Sequence, residues 1–298
     1  MEKVYLSDSG PKVSPAIYGF YRWDAAEVSN AAEIMEKIVN LCLDLGINTF
    51  DHADVYGSYR CEELFGKVMD RKSFKREDIV LFTKCGLRIP DVSQPDVRVN
   101  HYDTSSVHIL KSIDNSLRRL KTDYIDIFLL DHLDHISNLE EAAYTLRQLK
   151  ESGKIKNIGI ANFSVSQHQL LAAYLNLPIV TNHIELNLLN VSAIDSGQID
   201  YIKQRYMHPL ASAPLAAGRI ANGIDDLAVR VRNKLKALCS KYDSDIESIA
   251  VSWLVKLGAL PLIGTTNEQR IRNIVSSFDI NLDHQDWYEL YNTTKNLM

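Results

Sequence analysis

Eight strand-like segments separated by helix-like segments predict a (β/α)8 barrel, and three observations carry that expectation. The alternation begins near the N-terminus and runs to the end of the chain. The 298 residues suit one such barrel, which typically needs roughly 250. No linker, low-complexity tract or charge block divides the sequence. Strands that alternate with helices pair in parallel through right-handed crossovers. Residues 1–298 are therefore read as a single barrel domain with a short segment ahead of the first strand.

The first strand is Ala16 to Gly19. Ser29 then caps a helix whose inner face carries Ile38, Leu41, Cys42 and Leu45, and Gly46 ends it. Ile47 to Asp51 is the second strand, Glu62 to Met69 a helix and Ile79 to Lys84 the third strand. The loop from Gly86 to Tyr102 is long, with Pro90 and Pro95, and it follows a strand. Loops at that end of a barrel carry function, so it is expected to border the substrate pocket. Thr104 to Leu120 reads as a helix with Val107, Leu110, Ile113, Leu117 and Leu120 inward. Strand Tyr124 to Leu130, helix Glu140 to Glu151, strand Ile155 to Ala161 and helix Gln167 to Tyr174 follow. Ile179 to Ile184, Met207 to Ala211 and Leu260 to Ile263 complete the strands, with helix Ile246 to Leu257 before the last.

Composition narrows the function classes. Apolar residues make up 46%, enough for a full core, and the net charge is −5. There is no basic stripe, so nucleic acid is not an expected partner. No apolar run approaches the ~20 residues of a membrane helix, and MEKVYLSDSG has no signal-peptide core. Four cysteines without CxxC spacing read as reduced thiols of a cytoplasmic protein. Cys85 is either a reactive thiol or small apolar packing, the usual fate of a free cysteine.

Asp51, Tyr56 and Lys84 are the candidate catalytic set. The first two lie in NTFDHADVYGSYRCEELFG and the third closes IVLFTK. A phenol has a pKa of about 10. A neighbouring ammonium lowers it, and a carboxylate behind the lysine holds that ammonium charged and in place. All three fall at the carboxyl ends of strands, where barrel enzymes do their chemistry. A half-buried tyrosine beside a structural salt bridge is the plainer alternative. His132, Asp134 and His135 suggest a metal site after a strand, but a polar loop explains them more simply.

With these residues in place, the chain resembles the aldo-keto reductases over nearly its whole length. The signals, in order, are GINTFDHADVYG, Thr83–Lys84, GKIKNIGIANFS, TNHIELN, APLAAGRI and IGTTNEQRIRN. It looks closest to a bacterial branch whose DxADxYG box runs into Cys61 and Glu62. The resemblance implies NADPH-dependent reduction of a small-molecule carbonyl compound, with Tyr56 as acid, Lys84 lowering its pKa and Asp51 anchoring Lys84. It implies a cofactor extended across the barrel mouth rather than on a Rossmann fingerprint, which is absent. Asn162 would bind the carboxamide, Leu215 to Arg219 the pyrophosphate, and Thr265, Arg270 and Asn273 the adenosine end. A closed barrel needs no partner, so a monomer is expected.

Three positions depart from the family pattern. The family's histidine, five residues after the strand aspartate, falls on Asp131, with His132 one place later. A protonated Asp131 would donate a hydrogen bond, and family members with an acid here are associated with reduction of conjugated carbon–carbon double bonds. The alternative is a bulge that turns His132 inward. His183 stands where glutamine commonly reaches the carboxamide, and Ser212 where an aromatic ring usually stacks. Gly264 replaces a lysine found in many members, which leaves Arg270 to favour NADPH over NADH. A cofactor-binding redox sensor with little turnover is the competing reading. Tyr21, Trp23 and Tyr59 are candidate pocket aromatics.

Overall fold

The computed structural model describes residues 1–23 and 30–295. The expected cap Ser29 lies outside them. By packing, the chain divides into two compact units, Met1–Asn182 and His183–Met298.

The strands are β1 (Ile17–Gly19), β2 (Thr49–Asp51), β3 (Val80–Cys85), β4 (Ile125–Asp131), β5 (Ile155–Ala161), β6 (Ile179–Glu185), β7 (Leu210–Ser212) and β8 (Leu260–Ile263). They form a closed eight-stranded barrel in chain order. In the first unit β1 to β5 pair in parallel, each with the next. In the second, β7 pairs in parallel with the end of β6 and with β8. Strands β2 and β3 are buried nearly throughout. That is the pattern of a parallel sheet covered on both faces.

The helices are α1 (Ala31–Asp44), α2 (Cys61–Asp70), α3 (Ser106–Leu120), α4 (Leu139–Glu151), α5 (Val165–Leu175), α6 (Asp226–Tyr242), α7 (Ile246–Leu257), α8 (Glu268–Ser276) and α9 (His284–Lys295). Helix α1 buries Ile38, Leu41 and Cys42 as expected, and Gly46 beyond it is left-handed at φ +83°. Helix α3 corrects an expectation. Val107 and Leu110 are 75% and 41% exposed, and the buried face is Ile109, Ser112, Ile113, Ser116 and Leu120. Ser112 faces inward and donates to the buried Asp54, and at the end of the helix α2 comes very close. A Cβ on Gly66 would lie 1.9 Å from the Arg119 carbonyl oxygen.

The long loop after β3 has structure of its own. Leu87–Arg88 and His101–Tyr102 pair as an antiparallel ribbon. A second ribbon, Val4–Tyr5 with Lys12–Val13, precedes β1. In the second unit, Trp253 and Trp287 stack at 5.0 Å and exchange indole-to-carbonyl hydrogen bonds of 3.2 and 3.0 Å. Cys42, Cys61 and Cys85 are buried and free, and Cys239 is free and half-buried. No helix among the described residues is long and apolar enough to cross a membrane.

Candidate active site

Asp51 ends β2 and Lys84 is the penultimate residue of β3. The backbone around them is locked strand to strand. His52 N–H donates to Phe82 O, and Asp54 N–H donates to Lys84 O. Between these fixed ends Lys84 Nζ donates to Asp51 Oδ1 and Oδ2 at 2.8 and 2.7 Å, and to His52 O at 2.8 Å. Both side chains are buried. An ion pair this deep holds together because every donor of the ammonium is used.

Tyr56 follows in a turn that continues left-handed through Gly57, Ser58 and Tyr59 (φ 56°, 53° and 64°). Its hydroxyl donates to Asp51 Oδ2 at 3.5 Å. Lys84 Nζ lies 4.7 Å from the centre of the Tyr56 ring. The three expected catalytic residues therefore meet, but one expected consequence is reversed. Burial, then the negative charges of Asp51 and Asp131, pushes the Tyr56 phenol well above its ordinary pKa. The Lys84 ammonium, shared among both Asp51 oxygens and the His52 carbonyl, does not overcome that rise.

Asp131 ends β4, opposite Ala161 at the end of β5. Its Oδ1 accepts from Asn162 Nδ2 at 2.8 Å and lies 2.8 Å from His132 Nδ1. Burial raises the Asp131 carboxyl, but the His132 hydrogen bond and the Lys84 charge outweigh it, and the net direction is down. In this geometry Asp131 Oδ1 accepts from Asn162, whereas the expected protonated-donor role would have Asp131 give a proton. His132 is not turned in by a bulge either. Its left-handed backbone (φ 61°) sets the ring against Asp131. Asp134 serves the following turn by accepting from Ile136 N–H at 3.0 Å and from the Ser137 hydroxyl.

Asp54 was missed by the sequence reading, although it stands three residues after Asp51 and two before Tyr56. It is buried, accepts from Ser112 Oγ at 2.7 Å, and lies 4.0 Å from His108 Nε2. Burial, and next the Glu62 charge, raises its pKa to about 7. It borders a pocket with Tyr59, Arg88, Asp103, His108 and Lys111. The ribbon of the long loop therefore does border a cavity. Of the expected pocket aromatics, Tyr21 is exposed and packs edge-on to Tyr56 at 5.4 Å. Trp23 and Tyr59 are buried, bonded to Tyr18 and to the Ile89 backbone. Cys85 is buried and its thiol is pushed well above its ordinary pKa, first by burial, so it packs rather than reacts.

The remaining cofactor residues lie in the second unit. His183 is buried on β6 and Ser212 ends β7. Ala213, Ala216, Ala217 and Gly218 are all left-handed (φ 46°, 50°, 55° and 92°) around Leu215. Backbone of this kind forms concavities suited to anions. Arg219 pairs with Asp225 at 2.9 Å. Arg270 gives a two-pronged ion pair to Glu247, at 2.9 and 2.6 Å. Thr265 Oγ1 accepts from Asn267 N–H at 3.2 Å, and Asn273 Nδ2 donates to Asp245 at 3.0 Å. This donor set fits the phosphates and sugar of a dinucleotide, with both arginines already paired to acids.

The barrel gathers an acid, a tyrosine and a lysine at its strand ends, as expected, and likeness to known proteins identifies the family. The model of the Aldo/keto reductase family matches residues 16–293. The chain belongs to that family of oxidoreductases. It is 33% identical over 294 residues to the uncharacterized oxidoreductase YcsN of Bacillus subtilis, covering 98% of this chain and 97% of the relative. A 6-dehydroglucose reductase of Agrobacterium fabrum is 32% identical, with 98% and 97% covered. Among solved structures, a thermostable aldo-keto reductase has a TM-score of 0.84 at 20% identity, with 98% of this chain and 100% of that chain covered. The glycerol dehydrogenase of Gluconobacter oxydans also has a TM-score of 0.84 at 20% identity, with 99% and 96% covered.

Proposed function

We propose that residues 1–298 act as one catalytic domain, an NADPH-dependent reductase of a small-molecule aldehyde or ketone. The observation that carries this reading is the Tyr56 hydroxyl directed at the buried Asp51–Lys84 pair. A phenol that keeps its proton can give it to an oxygen that gains charge, which is the proton step that reduction requires. Asp51 and Lys84 hold each other and fix the floor beneath the tyrosine. The Lys84 charge also opposes the repulsion that the Asp131 carboxylate would exert on a developing alkoxide.

NADPH, when bound, supplies the hydride. Asn162 and His183 would hold its carboxamide, and the left-handed loop around Leu215, with Arg219, its pyrophosphate. Thr265, Arg270 and Asn273 would take the adenosine end. Four free cysteines are in keeping with a reducing, cytoplasmic setting. We read the enzyme as a monomer.

The test is NADPH oxidation with reactive aldehydes, a 6-aldehydo sugar, a diketone, a quinone and an enone at pH 6. The sugar belongs in the panel because two relatives are 6-dehydroglucose reductases. Carbonyl turnover that falls at least ~100-fold in Tyr56→Phe supports the reading, since acid catalysis contributes about 10²–10⁴-fold. Tight NADPH binding with no consumption would favour the redox-sensor reading. Turnover of the enone alone would favour double-bond reduction.

A further inference from the structure

Strands β4 and β5 end in step, with Asp131 opposite Ala161. Each hands over to a left-handed residue, His132 and Asn162, both at φ 61°. His132 N–H donates to Ala161 O at 2.9 Å, which ties the two corners together. Successive residues of an extended strand point to opposite faces. The left-handed step at His132 cancels that alternation and sets the two side chains side by side, with His132 Nδ1 2.8 Å from Asp131 Oδ1. Asn162 Nδ2 donates to the same oxygen at 2.8 Å.

The imidazole is fixed from a third direction. Tyr102, on the ribbon after β3, stacks on it at 4.4 Å with the planes 11° apart. The Asp131 backbone is held as well. Gly86 has φ +135°, and a Cβ there would sit 2.2 Å from the Asp131 carbonyl oxygen. Asp131 also lies within electrostatic reach of the reacting groups. Its charge raises the Tyr56 phenol, and Lys84 stabilises its carboxylate.

The hydrogen-bonding roles follow from this geometry. A neutral imidazole with Nδ1–H given to a carboxylate presents Nε2 as an acceptor. Asp131 Oδ1 is occupied, and an ionised carboxylate only accepts. Asn162 Nδ2 also lies 3.4 Å from His132 Nδ1; among the described residues the hydrogen bonds of this corner use Nδ1 and Oδ1 and leave His132 Nε2 and Asp131 Oδ2 open, with the His132 side chain 33% exposed. This corner thus offers two neighbouring acceptors where a plain carbonyl oxygen seeks donors.

We propose that the His132–Asp131 corner determines specificity by accepting hydrogen bonds from hydroxyl groups beside the substrate carbonyl, so that the enzyme takes hydroxy-aldehydes and hydroxy-ketones over their deoxy counterparts. This rests on the carbonyl-reductase reading and narrows its substrate class. A hydroxyl placed here pairs with an acceptor that would otherwise lose its water unpaired. A deoxy analogue leaves that acceptor stranded.

The experiment compares kcat/KM for matched pairs, glyceraldehyde against propanal and hydroxyacetone against acetone, with NADPH as reductant. The expected preference for the hydroxylated member is ~10-fold or more, the size of a hydrogen bond to a charged or buried group. His132→Phe keeps a ring to stack on Tyr102 but lacks Nε2, and the ratio should collapse toward one. His132→Gln, whose amide oxygen can still accept, should recover part of it. Turnover of both members with no preference, or a preference intact in His132→Phe, overturns the inference and leaves the reductase reading standing. Absence of turnover on all four compounds counts against the reductase reading. The inference is then judged by NMR, because glyceraldehyde should shift the His132 imidazole signals and propanal should not. Equal shifts, or none, overturn it.

Discussion

The polar residues of the two units are held in contrasting ways. In the first, Asp51, Lys84 and Asp54 are buried at strand ends and their partners are fixed by backbone pairing. In the second, Arg219 and Arg270 lie near the surface, each already joined to an acid, Asp225 or Glu247. The first arrangement is built before any ligand arrives, so it can orient chemistry. The second would have to exchange partners to hold the proposed phosphate, and its loss should cost the fold little. Burial thus separates pairs whose loss harms the structure from pairs whose loss the fold tolerates.

The sharpest way to break that contrast is Lys84→Met. It leaves Asp51 charged and buried without its partner, and removing one member of such a pair costs about 3–5 kcal/mol. Urea unfolding checks it, and a loss below ~1 kcal/mol would mean that the pair is not buried in solution.

Next comes Asp54→Asn. The folded carboxyl is raised to about 7, against an ordinary value near 4. A raised folded pKa means that the native state holds the proton more tightly. Its stabilisation is complete below about pH 4, fades as pH rises toward 7, and is gone above that. Asparagine stays neutral throughout and can still accept from Ser112. The variant should therefore gain on the wild type as pH rises, by an order of 2–4 kcal/mol at pH 7.5. Unfolding curves at pH 4.5 and 7.5 test it, and an equal difference at both would contradict the assignment.

The smallest effect belongs to the second unit. Glu247→Gln should change stability by less than ~1 kcal/mol, as expected for a partly exposed pair. Freed from its carboxylate, Arg270 should favour NADPH over NADH by a further ~3- to 10-fold, because a guanidinium matches a 2′-phosphate. An unchanged ratio of binding constants would remove Arg270 from the cofactor site.

Much of this was readable in the sequence, and the misses have physical causes. Strands β5 and β8 and helix α7 have the expected boundaries, because apolar runs bounded by Gly or Pro leave little choice. Helix α3 departs from the expected face because periodicity counts apolar residues, whereas its inward face also carries serines, one of them bonded to the buried Asp54. Helix α6 was passed over because its exposed face carries many charges. The ribbon within the long loop has strands of two residues, too short to show alternation. Asp51, Tyr56 and Lys84 were legible from spacing alone, but the direction of the tyrosine shift was not. That depends first on how deeply the phenol is buried, and then on the carboxylates around it. The pairing of Asp131 with His132 was hidden as well, because it depends on the sign of one backbone angle.

That backbone angle limits what substitution can do at the corner. Left-handed backbone is comfortable for glycine, acceptable to asparagine, aspartate and histidine, and costly for branched side chains. Residue 132 therefore tolerates unbranched side chains, as the left-handed Tyr59, Lys72 and Tyr206 of this chain do, and resists Val, Ile and Thr. A library randomised at Tyr102 keeps the turn and samples how the imidazole ring is held. The proposed selectivity is thus open to redesign from the neighbouring loop as well as from residue 132 itself.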